Sequence, residues 1–191
     1  MAVGRNGTIL TSSDGITWTS KTSGTEKYLG GLTFGNNTFV TVGSEGTILT
    51  SSDGSTWTSR TSGTTKWLSG IAYGNGIFMS AGEGGTVVTS PDGITWSLKN
   101  SGTTKDIWTI AYGNNTFVIS GKEGYLSTTK DGGSLASSSS NVRGDIYGVT
   151  YGNNEFLAVS GSGEIVTSSD GITWTSRGSG TSNGLWGVSY K

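Results

Sequence analysis

Two carboxylates in this sequence stand where an acid–base pair would be built. Asp106 and Asp145 are 39 residues apart (145 − 106) and fall at equivalent points of a repeat. If those points are neighbours in space, carboxyls set roughly 5 to 9 Å apart would form the arrangement that cleaves glycosidic bonds. Little else supports catalysis. The chain has no histidine, the commonest general base and metal ligand, and no cysteine for a thiolate nucleophile, metal site or disulfide. Its arginines are Arg5, Arg60, Arg143 and Arg177. Arg60 and Arg177 share one repeated position with Lys21 and Lys99, on an outer strand, so they cannot cluster around an acidic substrate. The expectation is a non-enzyme with no cofactor and no metal.

A second set of residues suits binding better. One repeated position reads Tyr28, Trp67, Asp106, Asp145, Gly184, and the position two residues on reads Gly30, Ser69, Trp108, Tyr147, Trp186. Alternation along a strand places both on one side. Each repeat then offers one large aromatic ring at one of two heights, among the polar groups Arg5, Glu26, Lys27, Lys66, Lys105 and Arg143. Rings beside hydrogen-bonding groups suit carbohydrates, which have apolar faces and hydroxyl edges. The alternative is that these rings only fill gaps between the repeats.

The elements that must carry these residues are set by the repeat. Ser51-Ser52-Asp53-Gly54-Ser55-Thr56-Trp57 has counterparts at Ser12 to Trp18, Ser90 to Trp96, Thr129 to Leu135 and Ser168 to Trp174. The last residues fall at 18, 57, 96, 135 and 174, so every interval is 39 (57 − 18, and so on). One unit reads as four strands: Trp67 to Tyr73, Phe78 to Ala81, Thr86 to Ser90 and Ile94 to Leu98. They are joined by Gly74-Asn75-Gly76, by Gly82 to Gly85 and by Pro91-Asp92-Gly93. No window has helical periodicity. Four short antiparallel strands at a period near 40 residues predict an all-β fold, a five-bladed β-propeller.

Within each turn, Asp14, Asp53, Asp92, Asp131 and Asp170 are placed to accept backbone N–H bonds, and the glycine that follows each can take a positive φ. Trp18, Trp57, Trp96 and Trp174 then bring a ring to bury between blades. This Ser-x-Asp-Gly-x-Thr-Trp pattern, between two strands and present in five copies across the chain, resembles the Asp-box of the BNR-like β-propellers. That superfamily includes sialidases, sortilin-type receptors, photosystem assembly factors and many bacterial repeat proteins. The box here is one residue shorter than usual, and the copy ending at Leu135 has lost its tryptophan. The resemblance implies that the Asp turns are structural and lie on the face away from any ligand. The ligand face would be that of the interblade links and the second-to-third strand turns, and several propeller lectins use repeated pockets there.

The two ends of the sequence predict how the ring closes. Gly187 to Tyr190 matches the inner-strand residues Gly148 to Tyr151, and Met1-Ala2-Val3 matches Leu157-Ala158-Val159. The expectation is one domain, residues 1–191, with one blade made of 1–22 and 184–191 and four others near 23–61, 62–100, 101–139 and 140–178. Deleting Gly187 to Lys191 would then open the ring.

Charge and composition exclude other partners. Net charge is −1 with no basic run, against the positive stripe that nucleic acid requires. No segment approaches the roughly 18 apolar residues of a membrane helix, and no signal peptide is visible. Asn6, Asn36 and Asn114 begin glycosylation sequons, but turn chemistry explains them. Glycine numbers 34, and the glycines recur at fixed points of the repeat. The expected function is a monomeric binding or scaffold propeller, possible partners being a carbohydrate or a protein. The competing expectation, from five repeats of one length without insertions, is an engineered or recently amplified scaffold with no ligand.

Overall fold

The computed structural model describes residues 1–190 except Ser139. Each of the last four units begins with a strand of apolar and small residues and turns back at Asn-Gly or Asn-Asn. Asn75 and Gly76 have φ of 48° and 74°, and Asn114 and Asn115 have 44° and 60°. Two consecutive positive φ values give the hairpin whose twist matches the strands it joins. The sequons at Asn36 and Asn114 are therefore turn residues by conformation.

The second unit comprises β4 (Leu29–Gly35), β5 (Thr38–Gly43), β6 (Ile48–Ser51) and β7 (Thr58–Arg60). The third comprises β8 (Leu68–Gly74), β9 (Ile77–Gly82), β10 (Val87–Ser90) and β11 (Ser97–Lys99). The fourth has β12 (Ile107–Gly113), β13 (Thr116–Gly121), β14 (Leu126–Thr129) and β15 (Ala136–Ser137). The fifth has β16 (Ile146–Gly152), β17 (Glu155–Ser160), β18 (Ile165–Ser168) and β19 (Thr175–Arg177). Each is a four-stranded antiparallel sheet in sequence order, with the first strand innermost. Among the described residues the first unit has three strands: β1 (Ala2–Val3), β2 (Ile9–Thr11) and β3 (Thr19–Lys21). Inner strands lie side by side, β4 by β8, β8 by β12 and β12 by β16. This is the arrangement of a β-propeller.

Interblade burial supplies the core, because each sheet presents apolar residues to both neighbours. Trp174 groups with Val118 and Leu126 of the unit before it, and Trp96 groups with Val40 and Ile48 in the same way. Phe78, Phe117 and Phe156 are fully buried. Close approach of inner strands needs a residue without a side chain. A Cβ at Gly113 would lie 2.0 Å from Cγ of Tyr151, and Gly35 and Gly74 receive Tyr73 and Tyr112 likewise. Buried hydroxyls are satisfied within the sheets: Thr41 and Ser80 donate to the carbonyls of Gly31 and Gly70, both at 2.8 Å.

The structure departs from the expected closure. The first sheet does not contain residues 184–190, and no backbone hydrogen bond joins that segment to it among the described residues. Instead the segment lies against the fifth unit, where a following inner strand would sit. Leu185 N–H donates to Ser160 O at 2.9 Å, Tyr190 covers Gly152, and the Tyr190 hydroxyl donates to Glu155 at 2.9 Å. The side-chain contacts that stack one inner strand on the previous one are thus made. The hydrogen-bonding edges of the segment, which would pair it with β1, are not used.

Candidate functional site

The Asp turns come first, since their carboxylates are the most regularly placed. Asp14 Oδ1 accepts from Ile16 N–H and Thr17 N–H, each at 2.8 Å, and from the Ser12 hydroxyl at 2.9 Å. Asp53, Asp92 and Asp170 repeat this set, whereas Asp131 has a single forward N–H bond, from Gly133. The glycines after them have φ of 70° to 76°. The N–H bonds from Thr17 and Ile16 hold the Asp14 carboxyl down at about 2, and those from Thr56 and Ser55 do the same for Asp53. Asp92, Asp131 and Asp170 are lowered for the same reason.

An acid-stability prediction follows. A carboxyl whose pKa is lower folded than unfolded stabilises the fold above its unfolded pKa, near 4, and that stability is lost as pH falls through the folded value. The urea midpoint should therefore drop between about pH 4 and pH 2. In the double variant Asp14→Asn, Asp53→Asn the drop should be shallower, and the midpoint at pH 7 lower. An unchanged acid slope would show that these carboxylates do not report on folding.

Trp18, Trp96 and Trp174 each donate Nε1–H to the carbonyl of the turn glycine, at 3.3, 2.9 and 3.0 Å. Trp57 breaks the pattern. Its Nε1 is buried without a partner, and its ring packs with Met1 and Val3 against Ile9, Leu29 and Leu49.

The opposite set of turns carries the aromatic residues. Tyr28 and Trp67 meet edge to face, with centroids 5.7 Å apart and planes at 82°. Trp108 and Tyr147 stack at 6.4 Å and 24°, and Tyr147 and Trp186 lie at 4.4 Å and 32°. The two heights have a steric origin. A Cβ at Gly30 would be 3.1 Å from Cε1 of Tyr28 and 3.5 Å from Nε1 of Trp67. A large ring at the first position therefore requires a small residue at the second, and the converse pairing places Asp106 before Trp108 and Asp145 before Tyr147. The strand is not strictly alternating here. The register slips by one residue between Leu68 and Gly70, and at the equivalent point of the other inner strands. Trp108 Nε1 is buried without a partner at this bulge.

Two carboxylates of this face are engaged by backbone amides. Asp106 Oδ1 accepts from Gly84 N–H at 2.7 Å, and Asp145 Oδ1 from Glu123 N–H at 2.9 Å. Each ties a link to the second-to-third strand turn of the preceding unit. Tyr147 O–H donates to Asp145 Oδ2 at 3.3 Å; burial, with the Asp145 charge, raises the phenol above its ordinary value. Lysines of the links pair with glutamates of the turns: Lys27 with Glu45, Lys66 with Glu83 at 2.9 Å, and Lys105 with Glu123 at 3.3 Å. Glu164 accepts from Ser160, Ser162 and Arg143 N–H, and these bonds outweigh its burial and lower its pKa. Among the described residues no three acidic side chains gather where a metal ion would bind.

Several concavities border the face. Tyr28 and Trp67 form the apolar wall of a cleft of about 530 Å³, with Arg5, Asn6, Glu26 and Ser44 around it. A larger groove, about 960 Å³, runs between the 23–27 and 61–66 links along β7, past Trp57 and Arg60. Sequence reasoning did not nominate this groove, because it is lined by serines, threonines and glycines that read as linker.

Comparison with known proteins places the chain by fold only. No protein-family model matches it, and no curated protein matches it in sequence. Among solved structures it is similar to YCF48 bound to D1 peptide, at 18% identity and TM-score 0.69, over 91% of this chain and 61% of that one. YCF48 from Cyanidioschyzon merolae aligns at 18% identity and TM-score 0.65, over 86% and 60%. A computationally designed protein, Ika8, aligns at 16% and TM-score 0.72, over 98% and 67%. The chain thus spans about three-fifths of the length of the YCF48 structures. These likenesses agree with the β-propeller architecture.

Proposed function

We propose that this chain is a non-catalytic binding propeller that holds a segment of a partner protein against the aromatic residues of its link face. The row Trp108–Tyr147–Trp186 carries the proposal. Rings from the fourth and fifth units and from the C-terminal segment follow one another at 6.4 and 4.4 Å, and Trp186 is 67% exposed. Aromatic rings held against one another offer large contact area at low entropic cost. Asp106, Asp145 and Glu164 are tied to backbone or hydroxyl groups and Lys105 to Glu123, which supports binding over chemistry. Asp106 and Asp145 each have one oxygen committed to an amide of the scaffold, an unsuitable state for an acid–base pair.

That YCF48 has been solved with a peptide bound supports a protein ligand on a fold of this kind. The Asp turns further support assignment to the Asp-box propellers. Carbohydrate remains the second reading, favoured by the open edge-to-face corner of Tyr28 and Trp67.

Peptide and glycan arrays run side by side test both readings. A peptide family whose binding falls at least about tenfold in Trp186→Ala, with circular dichroism unchanged, is the expected result. Glycan binding lost in Trp67→Ala would replace the protein reading with the sugar one. Silence on both arrays would leave a scaffold without a ligand.

A further inference from the structure

The groove past Trp57 has a cause in the repeat. It lies at the boundary between the first and second units, and all of its lining residues fall between 23 and 66. Three of them are Thr25 in the link, Thr47 after the second-to-third strand turn and Ser59 on β7. Each has a counterpart at every other boundary, and at each of those boundaries one of the three is a large side chain. Leu98 stands for Ser59 at the second boundary (98 − 59 = 39), Tyr125 for Thr47 at the third (125 − 47 = 78) and Val142 for Thr25 at the fourth (142 − 25 = 117), all multiples of 39.

The three large residues close their boundaries. Leu98 reaches the preceding link, its Cδ1 3.8 Å from the Cβ position of Gly63. Tyr125 packs on the core between the third and fourth units, together with Leu135, and Val142 packs on the core that holds Trp174. At the first boundary all three points carry hydroxyls. Gly24, the counterpart of Gly63, has no atom within 4 Å of its Cβ position, and a groove of about 960 Å³ opens beside it. These positions acquire that meaning only when the fold sets them side by side.

The chemistry of the lining selects a ligand class. Trp57, half-buried, and Leu49 supply an apolar wall. Thr25 Oγ1 accepts from Lys27 N–H at 3.1 Å, which leaves its O–H to donate; Thr47 donates to Ser44 O at 2.7 Å, which leaves its lone pairs to accept. Charge at the rim is compensated, Lys27 by Glu45 and Lys66 by Glu83. Arg60 donates Nε–H at 2.9 Å to Thr50, which alternation puts on the face of the sheet opposite Leu49. An indole among fixed hydroxyls without free charge matches a ligand with an apolar ring face, hydroxyl edges and no charge.

We propose that this groove is a separate binding site that takes a neutral saccharide, with a pyranose ring lying against Trp57. The inference does not rest on the partner-protein reading, whose rings belong to other units. Nor does the groove share a lining residue with the Tyr28–Trp67 cleft.

The other boundaries supply the test, because their side chains can be moved into this one. Glucose, galactose, mannose, N-acetylglucosamine, cellobiose and lactose would be titrated into the full chain, with glucuronate as an acidic control. Binding would be read by saturation-transfer NMR and calorimetry. The expected result is saturable binding of at least one neutral sugar, weakened at least about tenfold in Ser59→Leu and in Thr25→Val and unchanged in Trp67→Ala. Melting curves select the variants that keep the fold, and Thr47→Tyr is a third plug should either of the first two fail. Undiminished binding in the folded plug variants would overturn the proposal, as would loss of binding in Trp67→Ala. Binding of the acidic sugar alone, or of no neutral sugar, would overturn it equally.

Discussion

Trp174→Ala should lower the unfolding free energy by about 3–5 kcal/mol, whereas Trp18→Ala, the same substitution at the same point of the repeat, should cost about 1 kcal/mol or less. Trp174 is 7% exposed and packs with Val118, Leu126 and Phe156 across the boundary between two units. Its removal leaves a cavity that the flanking sheets cannot collapse into, since each is fixed by its own ladder. Trp18 is 45% exposed and keeps a longer bond, 3.3 Å, to Gly15. Urea denaturation by circular dichroism would measure both, at a concentration where light scattering gives a monomer. Equal losses would show that Trp18 is covered by another part of the same molecule. If instead the gap narrows as concentration rises, copies are covering it.

Gly113→Val should be comparably damaging, by about 1–3 kcal/mol or more, although the substitution adds apolar atoms. A Cβ at 113 would stand 2.0 Å from Cγ and 2.2 Å from Cδ1 of Tyr151. Those atoms are at the base of the ring, so the ring must swing out rather than tilt. It would then leave Phe156, whose centroid is 4.7 Å away, and lose its packing against the core of the fifth unit. Gly76→Ser should be much milder despite its φ of 74°, because no atom lies within 4 Å of its Cβ position. Melting temperatures for the pair would separate crowding from backbone strain. A greater loss at Gly76 would contradict the crowding account.

The candidate site was legible in part, and particular residues show where legibility stopped. The two heights of the aromatic series were readable because Tyr28 with Gly30 and Asp106 with Trp108 alternate in size. Their steric reason appears only when the space around Gly30 is seen to be filled by Tyr28 and Trp67. Asp106 and Asp145 looked like chemistry in the sequence. Their bonds to Gly84 N–H and Glu123 N–H involve residues 22 positions earlier, and no spacing rule reveals an amide acceptor pair of that separation. The groove past Trp57 and the buried Nε1 atoms of Trp57 and Trp108 had no sequence signal, since each depends on how neighbouring units lean together.

What the sequence by itself determined was everything local. Turns at Asn75-Gly76 and the carboxylate-locked turns at the five aspartates rest on φ preferences and hydrogen bonds between residues at most a few positions apart, and strand order within a unit on pairs within about 14 positions. The tertiary structure alone decided how the units stand to one another, and so which tryptophans are buried and where 184–190 lies. Repeats of one length permit either a closed five-membered ring or a segment of a wider wheel. The choice turns on a small rotation at each contact, set by side-chain packing and summed over the units, and no single residue encodes a sum.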